Sequence, residues 1–370
     1  MKWNWQQKDW PNFKYSFSKI KQYEEEFLHN SGLLFSVFNS ISNQDKENIK
    51  INLISDEALK TSEIEGIYLN RDSVQSSIQK NFGLKIKKQS ATPYEQGLSD
   101  LMIDIYKNFD SALTNKELFN WHKLLMQGRT DIKNVGAYRT HKEPMVVVSG
   151  TYYKEKIHFE APPSHTVNKE MEKFISWFNS CEKELFTITR AAIAHLYFVS
   201  IHPFEDGNGR IARAISQKSI SQSLKQPSLL ALAITIEKHK KEYYNMLEAS
   251  NKNNEITDWL VYFAKTMLKA QQYTINLVDF IIFKTKFYDK YKDVLNDRQL
   301  KVIKRMFKEG IEGFKGGLSA QNYISITKAS RATTTRDLQE LVDKKVLLKK
   351  GNLKYSRYFI PFPKNFNIDN

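Results

Sequence analysis

Apolar and polar positions follow helical spacing over most of the chain. The stretch "TITRAAIAHLYFVS" (187–200) is apolar with few helix breakers, which is typical of a buried helix. In "TNKELFNWHKLLMQG" (114–128), Thr114 and Glu117 have the spacing of a capping box, which predicts a helix start. The helical pattern continues from 164 to about 285. We therefore expect a mainly α protein.

One stretch departs from the helical pattern and predicts a β-hairpin. "MVVVSGTYYKEKIHFEAPP" (145–163) contains two β-rich runs on either side of Ser149 and Gly150. Pro162 and Pro163 end the second run, because proline cannot continue a strand ladder. An ordinary surface hairpin would have the same pattern, so the pattern by itself assigns no role.

The last part of the chain has the element order of a winged helix-turn-helix. After about residue 290 we predict a helix, a short helix, a helix and two strands around "KKGN" (349–352). "SRATTTRDLQELVDKKVL" (330–347) would be the recognition-type helix of such a module. The residues near its groove-facing start are Arg331, Thr333, Thr334, Thr335 and Arg336. Modules of this kind also bind proteins, so DNA and protein both stay open as partners.

These patterns divide the 370 residues into three predicted domains. Residues 1–110 form an N-terminal helical domain that opens with an aromatic segment, which we expect to pack as a lid on the helices behind it. Residues 111–285 form a helical core that contains the hairpin. Residues 286–370 form the winged helix-turn-helix domain.

Charge is unevenly distributed along the chain. The formal net charge is +15, and the segment 290–364 holds eighteen Lys or Arg against seven Asp or Glu. A basic C-terminal domain favours an acidic partner, with nucleic acid as the first candidate. A solvated basic surface with no partner would have the same composition.

Cysteine content and hydropathy indicate the compartment. Cys181 is the single cysteine, which excludes an internal disulfide and agrees with a reducing environment. No run of about 18 apolar residues is present, and the N-terminus carries charges and aromatics where a secretory peptide needs an apolar run. We expect a cytoplasmic protein without a membrane segment.

The richest chemistry lies in "IHPFEDGNGRIAR" (201–213), between two helix-compatible stretches. Pro203 ends the first helix, and Gly207 and Gly209 permit backbone angles that other residues avoid. The loop therefore leads into a helix N-terminus, where unpaired N–H groups and the helix dipole attract anions.

Side chains in this loop add to the anion site. The guanidinium groups of Arg210 and Arg213 suit phosphate oxygens, and Asp206 offers the hard oxygen ligand that Mg²⁺ prefers. His202 can accept a proton from an attacking hydroxyl near neutral pH. Together they predict nucleotidyl or phosphoryl transfer, although a glycine-containing loop with a structural histidine is the simpler alternative.

The segment "HPFEDGNGRIAR" (202–213) resembles the signature of the Fic family, H-P-F-x-[D/E]-G-N-G-R-x-x-R, at every specified position. "WNWQQKDWPNF" (3–13) also resembles the segment that precedes the Fic core in many bacterial members. The resemblance implies a helical Fic core with a β-hairpin flap that holds an extended piece of the target by strand addition. It further implies a protein adenylyltransferase that moves AMP from ATP–Mg²⁺ to a Ser, Thr or Tyr hydroxyl of a protein, the chain itself included, and a homodimer as one assembly.

Residue roles also follow from the resemblance. His202 would be the base, Asp206 the Mg²⁺ ligand, and Gly207, Asn208 and Gly209 the donors to the α-phosphate. Arg210 and Arg213 would hold the β- and γ-phosphates. Gly209 favours nucleotidyl transfer, since kinase relatives carry Lys there. The full set of expected ATP-binding residues is Glu65, His202, Gly207, Asn208, Gly209, Arg210, Ile211, Ala212, Arg213, Tyr243 and Tyr244.

A second segment, "TSEIEG" (61–66), resembles the inhibitory motif of the family, [S/T]-x-x-x-E-[G/N]. We predict a helix with Ser55 as its N-cap and Gly66 as its stop, so that Glu65 falls in the last turn. A carboxylate is unfavourable there unless a cation compensates, and Arg213 is the candidate. Such a pair would inhibit the enzyme, and the carboxylate could also align water for removal of AMP.

Three residues keep two interpretations each. Tyr243 and Tyr244 either pack in the core or contact the nucleotide base. His195 lies seven residues before His202 and is either a metal ligand or, with few carboxylates nearby, a structural histidine. For the whole chain, the competing class is a DNA-binding regulator whose Fic-like part senses nucleotide.

Overall fold

The computed structural model describes residues 2–84, 90–150, 156–181 and 185–362, and they form the mainly helical protein that the sequence predicted. No helix among these residues combines the length and the apolar character needed to cross a membrane. The helices are α1 (Lys21–Ser40), α2 (Asn43–Ile64), α3 (Arg71–Asn81), α4 (Pro93–Lys107), α5 (Asn115–Leu125), α6 (Ser164–Ser180), α7 (Thr187–Ile201), α8 (Asn208–Leu224), α9 (Leu232–Lys238), α10 (Lys240–Ser250), α11 (Thr257–Tyr291), α12 (Asp297–Lys308), α13 (Ala320–Thr327) and α14 (Arg331–Asp343). The strands are β1 (Val146–Ser149), β2 (Lys156–Glu160), β3 (Leu348–Lys350) and β4 (Arg357–Phe359).

The chain divides into two compact units. The larger unit consists of Met1–Asn39 with Lys50–Thr274, and the smaller unit of Ser40–Ile49 with Ile275–Asn370. The predicted boundary at 285/286 falls within α11, which continues to Tyr291. The division into three domains stays a prediction.

Helices α7 and α8 form the centre of the larger unit. Every residue of α7 except Val199 is buried, as its apolar sequence predicted. Helix α8 is also buried although it carries charges, because each charge has partners. Lys218 is fully buried, and its Nζ lies 2.9 Å from a Glu117 carboxylate oxygen of α5 and 2.8 Å from the Asn108 carbonyl oxygen.

Helix starts were predicted with mixed success. Thr114 caps α5 as expected, and its hydroxyl accepts a hydrogen bond from the Glu117 N–H. The prediction that Ser55 is an N-cap is wrong, because α2 begins at Asn43. The Ser55 hydroxyl instead donates to the Ile51 carbonyl oxygen one turn earlier, which satisfies it inside the helix. The predicted stop is correct, since Gly66 follows α2 with a φ of 81°.

The N-terminal aromatic segment packs on the core of the larger unit, as predicted. The Trp3 ring meets Phe159 of β2 edge-on, with ring centroids 5.5 Å apart. The Trp5 indole N–H donates to the Glu160 carbonyl oxygen at 2.7 Å. Both contacts support the base of the β1–β2 hairpin, so this segment helps to position the hairpin.

The predicted hairpin is present, with β1 antiparallel to β2. Ser149 pairs with Lys156, and the register shifts at a bulge between Val147 and Val148. The part of the predicted run at 151–155 lies outside the described residues.

The smaller unit has the predicted order of elements: α12, α13 and α14, then β3 paired antiparallel with β4. One expectation within it is wrong. Thr334 does not face a groove, because its side chain is completely buried. Thr334, Leu338 and Leu341 share one side of α14 by helical spacing and are all buried, while Arg331, Thr335 and Arg336 are exposed.

Candidate active site

A cavity of about 650 Å³ opens in the larger unit at the loop that joins α7 to α8. Its walls come from the end of α2, the β1–β2 hairpin, the loop and α10. The predicted site residues that line it are Glu65, His202, Asp206, Gly207, Asn208, Gly209, Tyr243 and Tyr244. The fold therefore brings most of the predicted set to one place.

His202 ends α7 in the left-handed region, with a φ of 52°, and its N–H donates to the Phe198 carbonyl oxygen. Its Nδ1 lies 3.2 Å from the Val199 carbonyl oxygen, which can only accept, so Nδ1 carries the proton. Burial lowers the pKa of His202 to about 4, which keeps the ring neutral at pH 7. Nε2 then has a lone pair available for a proton.

Arg139 positions the loop, and the sequence reasoning missed it. Its Nε donates to the His202 carbonyl oxygen at 2.8 Å. Its backbone N–H donates to the Pro203 carbonyl oxygen at 2.9 Å. Its Nη1 also donates to the Ser164 hydroxyl at 2.9 Å. Burial lowers the pKa of Arg139 to about 10, still above neutral pH, so the charged group stays at the carboxyl end of α7 where cations are favourable. The weak signal available was an arginine in "NVGAYRTH" (134–141), a segment whose glycine is typical of a turn.

Asn208 and Phe204 hold the loop in shape. The Asn208 side chain accepts from the Phe204 N–H at 3.0 Å and donates to the Phe204 carbonyl oxygen at 2.8 Å. The Phe204 ring is completely buried and stacks on His122 at 4.3 Å. Because the Asn208 amide is used inside the loop, its backbone N–H is the group that it can offer to a ligand.

At the N-terminus of α8, positions 207 and 209 carry no side chain because both are glycine. Gly207 is the N-cap with a φ of 82°, and a Cβ there would lie 2.9 Å from the Met126 methyl carbon. A Cβ on Gly209 would lie 2.7 Å from a Glu65 carboxylate oxygen. The backbone N–H groups at this helix end are thus in a setting that favours an anion.

Asp206 lies between two arginines. Its Oδ1 is 3.0 Å from Arg210 Nη2, and its Oδ2 is 2.9 Å from Arg129 Nη1, a residue that the sequence reasoning missed. Burial acts to raise the pKa of Asp206, but the charges of Arg210 and Arg129 and the Gly207 N–H together hold it below its usual value. Asp206 is therefore an ionised carboxylate at neutral pH.

A magnesium ion would have to use Asp206 together with phosphate oxygens. Within the described residues, no cluster of three or more His, Cys, Asp or Glu side chains could hold a metal by itself. One carboxylate nevertheless fits Mg²⁺, which in nucleotide sites takes one or two carboxylates and completes its shell with phosphate and water. The Mg²⁺ site at Asp206 stays a prediction.

Arg210 and Arg213 are both buried, and each keeps a nitrogen without a partner among the described residues. Arg210 Nη1 donates to the Tyr94 hydroxyl at 2.5 Å, while its Nε lacks a partner. Arg213 Nε donates to the Thr61 hydroxyl at 2.7 Å, while its Nη1 lacks a partner. Unpaired buried guanidinium nitrogens are unfavourable, so both sites suit an additional acceptor such as a phosphate oxygen.

Glu65 and Arg213 form the ion pair that the sequence predicted, with Arg213 Nη2 2.7 Å from Glu65 Oε1. Arg213 Nη2 also donates to the Thr61 carbonyl oxygen at 2.9 Å. Burial is the largest single influence and acts to lower the pKa of Arg213, but the charge and hydrogen bond of Glu65 together with Tyr243 and Tyr244 raise it above its usual value. The last turn of α2 therefore occupies the Arg213 guanidinium.

The two candidate tyrosines differ in environment. Tyr243 is 1% exposed, and its hydroxyl lies 2.8 Å from His195 Nε2. Tyr244 is exposed at the cavity, with 39% of its surface accessible and its hydroxyl 3.5 Å from Glu65 Oε2. Ile211 and Ala212 are completely buried in the core, so these two can reach a nucleotide only through their backbone.

His195 has the surroundings of a structural histidine. It is completely buried, and its Nδ1 lies 3.2 Å from the Ser216 hydroxyl oxygen, which itself donates to the Ala212 carbonyl oxygen. Burial lowers the pKa of His195 to about 3, so the ring is neutral. Its two nitrogens are used by Ser216 and Tyr243, which supports the structural interpretation.

Two family models match parts of the chain. Residues 3–84 match a domain of unknown function, DUF4172, and residues 112–218 match the Fic/DOC family. The second match contains α5 to most of α8 and therefore the whole α7–α8 loop.

Curated relatives match up to about two fifths of the chain. "Protein adenylyltransferase Fic" of Aedes aegypti is 34% identical over 149 residues, which is 40% of this chain and 26% of the relative. The protein of the same name from Culex quinquefasciatus is 28% identical over 148 residues, again 40% of this chain and 26% of the relative. The chain thus spans about a quarter of the length of these relatives.

Solved structures share the fold. A Fic family protein from Desulfovibrio desulfuricans superposes with a TM-score of 0.53 at 18% identity and covers 91% of this chain and 95% of that chain. Fic-1 from C. elegans superposes with a TM-score of 0.51 at 20% identity, over 72% of this chain and 74% of that chain. The solved structures thus show the same fold, and residues 112–218, which contain the whole α7–α8 loop, match the Fic/DOC family.

Proposed function

We propose that the protein is an adenylyltransferase that transfers AMP from ATP to a Ser, Thr or Tyr hydroxyl of a protein. The observation that carries this proposal is the neutral imidazole of His202 beside the glycine-lined N-terminus of α8 in one cavity. The names of the curated relatives support the same reaction.

In the proposed reaction, His202 Nε2 accepts the proton of the attacking hydroxyl. The backbone N–H groups at Asn208 and Gly209 donate to the α-phosphate as its charge shifts, and that of Gly207 joins them when it leaves Asp206 Oδ1. Asp206 is the residue that would hold Mg²⁺, which when bound neutralises the phosphate charges. Arg210 and Arg213 bind the β- and γ-phosphates, and pyrophosphate leaves.

The enzyme is also proposed to inhibit itself through Glu65. The Glu65 carboxylate forms an ion pair with Arg213. Its Oε1 lies 2.7 Å from where a Cβ on Gly209 would be. A γ-phosphate cannot use the same guanidinium nitrogen while Glu65 does, so productive ATP binding requires Glu65 to leave. Over a bound nucleotide the same carboxylate could align a water, which would remove AMP from the modified protein.

Self-labelling of the purified chain with a fluorescent ATP analogue tests the reaction. We expect Glu65→Gly to raise the label on protein well above the unmodified chain. Glu65→Gly with His202→Ala should abolish the label on every hydroxyl that lacks a neighbouring base of its own. Glu63→Gly is the matched control, since Glu63 is a second glutamate of the same turn that contacts Lys60 rather than Arg213. Absence of label from every variant would overturn the proposed function.

DNA is a second candidate partner, through the smaller unit. Arg331 and Arg336 are exposed at the start of α14, and the segment 290–364 carries the basic excess described above. This support is weaker than that for nucleotidyl transfer, because protein-binding modules share the same elements. The homodimer and the cytoplasmic location remain predictions from the sequence.

A further inference from the structure

A serine, a histidine and a glutamate form a chain of hydrogen bonds at the wall of the same cavity. Ser149 ends β1, His158 lies on β2 and Glu248 on α10. The Ser149 hydroxyl oxygen is 2.5 Å from His158 Nε2, and His158 Nδ1 is 2.6 Å from Glu248 Oε2. All three residues line the cavity together with His202, and none belongs to the α7–α8 loop.

The direction of these hydrogen bonds follows from the carboxylate. Hydrogen bonds from Lys156 and His158 hold the pKa of Glu248 below its usual value, so it is ionised and can only accept. His158 Nδ1 therefore carries the proton that it donates to Glu248. In the neutral ring Nε2 then has the lone pair, and the Ser149 hydroxyl, 2.5 Å away, can donate to it. This is the arrangement that activates a serine hydroxyl as a nucleophile.

The hairpin that carries Ser149 is held against the cavity by its own contacts. Asn251 of α10 donates to the His158 carbonyl oxygen at 3.1 Å, and Phe159 is 5% exposed beneath the Trp3 ring. Ser149 itself is exposed. An activated and accessible hydroxyl thus faces the cavity in which the α-phosphate of ATP is proposed to bind.

We propose that Ser149 is a self-modification site that receives AMP within the same chain. The inference rests on the proposed adenylyltransferase function. The Ser149 oxygen forms a bond to the α-phosphorus of ATP as the bond from that phosphorus to the pyrophosphate oxygen breaks. The serine proton passes to His158 Nε2, and pyrophosphate leaves with the bonding electrons. AMP on Ser149 would occupy the cavity wall and displace the hairpin's own hydrogen bond to His158.

The test uses the full chain with Glu65→Gly, incubated with ATP and Mg²⁺, digested and analysed by fragmentation mass spectrometry. We expect the mass of AMP on Ser149 in the tryptic peptide 143–154, which also contains the hydroxyls of Thr151, Tyr152 and Tyr153. Ser149→Ala should remove that mass, and Ser180→Ala, at an exposed serine outside the cavity, should leave it.

Two further variants separate proton transfer from attachment of the hairpin. His158→Ala should slow AMP transfer to Ser149 by roughly 100-fold, the lower end of what a positioned base contributes, while transfer to other proteins continues. Asn251→Ala removes a hydrogen bond of 3.1 Å that anchors the His158 carbonyl oxygen of the same hairpin but leaves the serine–histidine–glutamate chain intact. It should keep Ser149 modification near the parent rate. Equal losses in both variants would mean that the histidine only anchors the hairpin, which overturns its role.

Concentration dependence tests modification within the chain. The rate at Ser149 should not change as the protein is diluted. An Asp206→Asn chain, which loses the carboxylate proposed to hold Mg²⁺ but keeps Ser149 and His158, should stay unmodified when mixed with active Glu65→Gly, Ser149→Ala protein. AMP on that inactive chain would overturn transfer within the chain. AMP on other hydroxyls but not on Ser149 would overturn this inference and leave the proposed function in place. No AMP on any protein would overturn both.

Discussion

At the scale of single residues, burial determines which side chains can exchange protons. His202 is neutral because burial penalises the imidazolium form, and its tautomer is set by the Val199 carbonyl oxygen. Asp206 is ionised because Arg210 and Arg129 flank it. At neutral pH both groups have therefore lost their acidic proton, so His202 is uncharged and Asp206 is negatively charged.

The protonation of His202 can be measured directly. We expect the imidazole of His202 to titrate with a midpoint near pH 4, against 6.5 for an unperturbed histidine. The ring is neutral above that midpoint and charged below it, so the catalytic form is present throughout the neutral range. NMR titration of histidine-labelled protein gives the value, and His202→Gln assigns the signal. A midpoint near 6.5 would contradict a desolvated ring.

Thr61 is predicted to strengthen the inhibitory pair. Thr61→Val removes the hydroxyl that accepts from Arg213 Nε and leaves a buried donor unpaired, which costs about 1–3 kcal/mol. We expect basal self-labelling to rise, though less than in Glu65→Gly, because the carboxylate remains. Thr61→Ser keeps the hydroxyl and should behave as the parent. Unchanged labelling in Thr61→Val would show that Glu65 holds Arg213 without this support.

At the scale of elements, buried polar contacts connect helices that are distant in sequence. Lys218 of α8 reaches Glu117 of α5 and the Asn108 carbonyl oxygen, and all three groups lie in the larger unit. Burial is the main influence on the Glu117 pKa and raises it above its usual value. Each of the two charges, Lys218 and Glu117, is therefore stabilised by the other.

Removal of one partner should be costly. Lys218→Met leaves the Glu117 carboxyl buried without its cation, and we expect the free energy of unfolding to fall by about 3–5 kcal/mol. Urea denaturation followed by circular dichroism measures the change. Lys218→Met with Glu117→Gln removes both charges and should recover part of the loss. A single variant as stable as the parent would show that the pair contributes little.

At the scale of the whole molecule, the two proposed ligands, ATP and DNA, depend on charge in different ways. The net charge of +15 is concentrated towards the C-terminal part of the sequence, whereas the cavity is lined by carboxylates as well as by the helix N-terminus. Nucleotide binding thus depends on local geometry. DNA binding would depend on the number of phosphates that basic side chains contact.

Salt dependence tests the DNA candidate on the full chain. If the smaller unit binds duplex DNA through α14, the logarithm of affinity should fall linearly with the logarithm of salt concentration. Arg331→Ala with Arg336→Ala should reduce the magnitude of that slope by about 2, as expected for two lost phosphate contacts. Gel shifts over a salt series give both slopes. Affinity that does not vary with salt would argue against this surface.

Much of the site was predictable because its signals are local in sequence. The proline, glycine and arginine positions of 201–213 act within one loop, and four-residue spacing put Thr61 and Glu65 on one face of a helix. Predictions from the residue type alone were wrong where the surrounding structure decided the role of the residue. Ser55 has the residue type of a cap, but the helix had already started at Asn43, and Thr334 is polar yet lies on the buried side of α14.

The sequence alone determined which chemical groups the loop presents and that a helix N-terminus follows them, since those depend on neighbours within about a turn. Only the tertiary structure decided which distant groups complete the site. Arg129, Arg139 and Tyr94 come from segments 63 to 116 residues away from their partners in the loop. Contacts of that kind depend on how helices and hairpin pack, and local patterns do not encode the packing of separate elements.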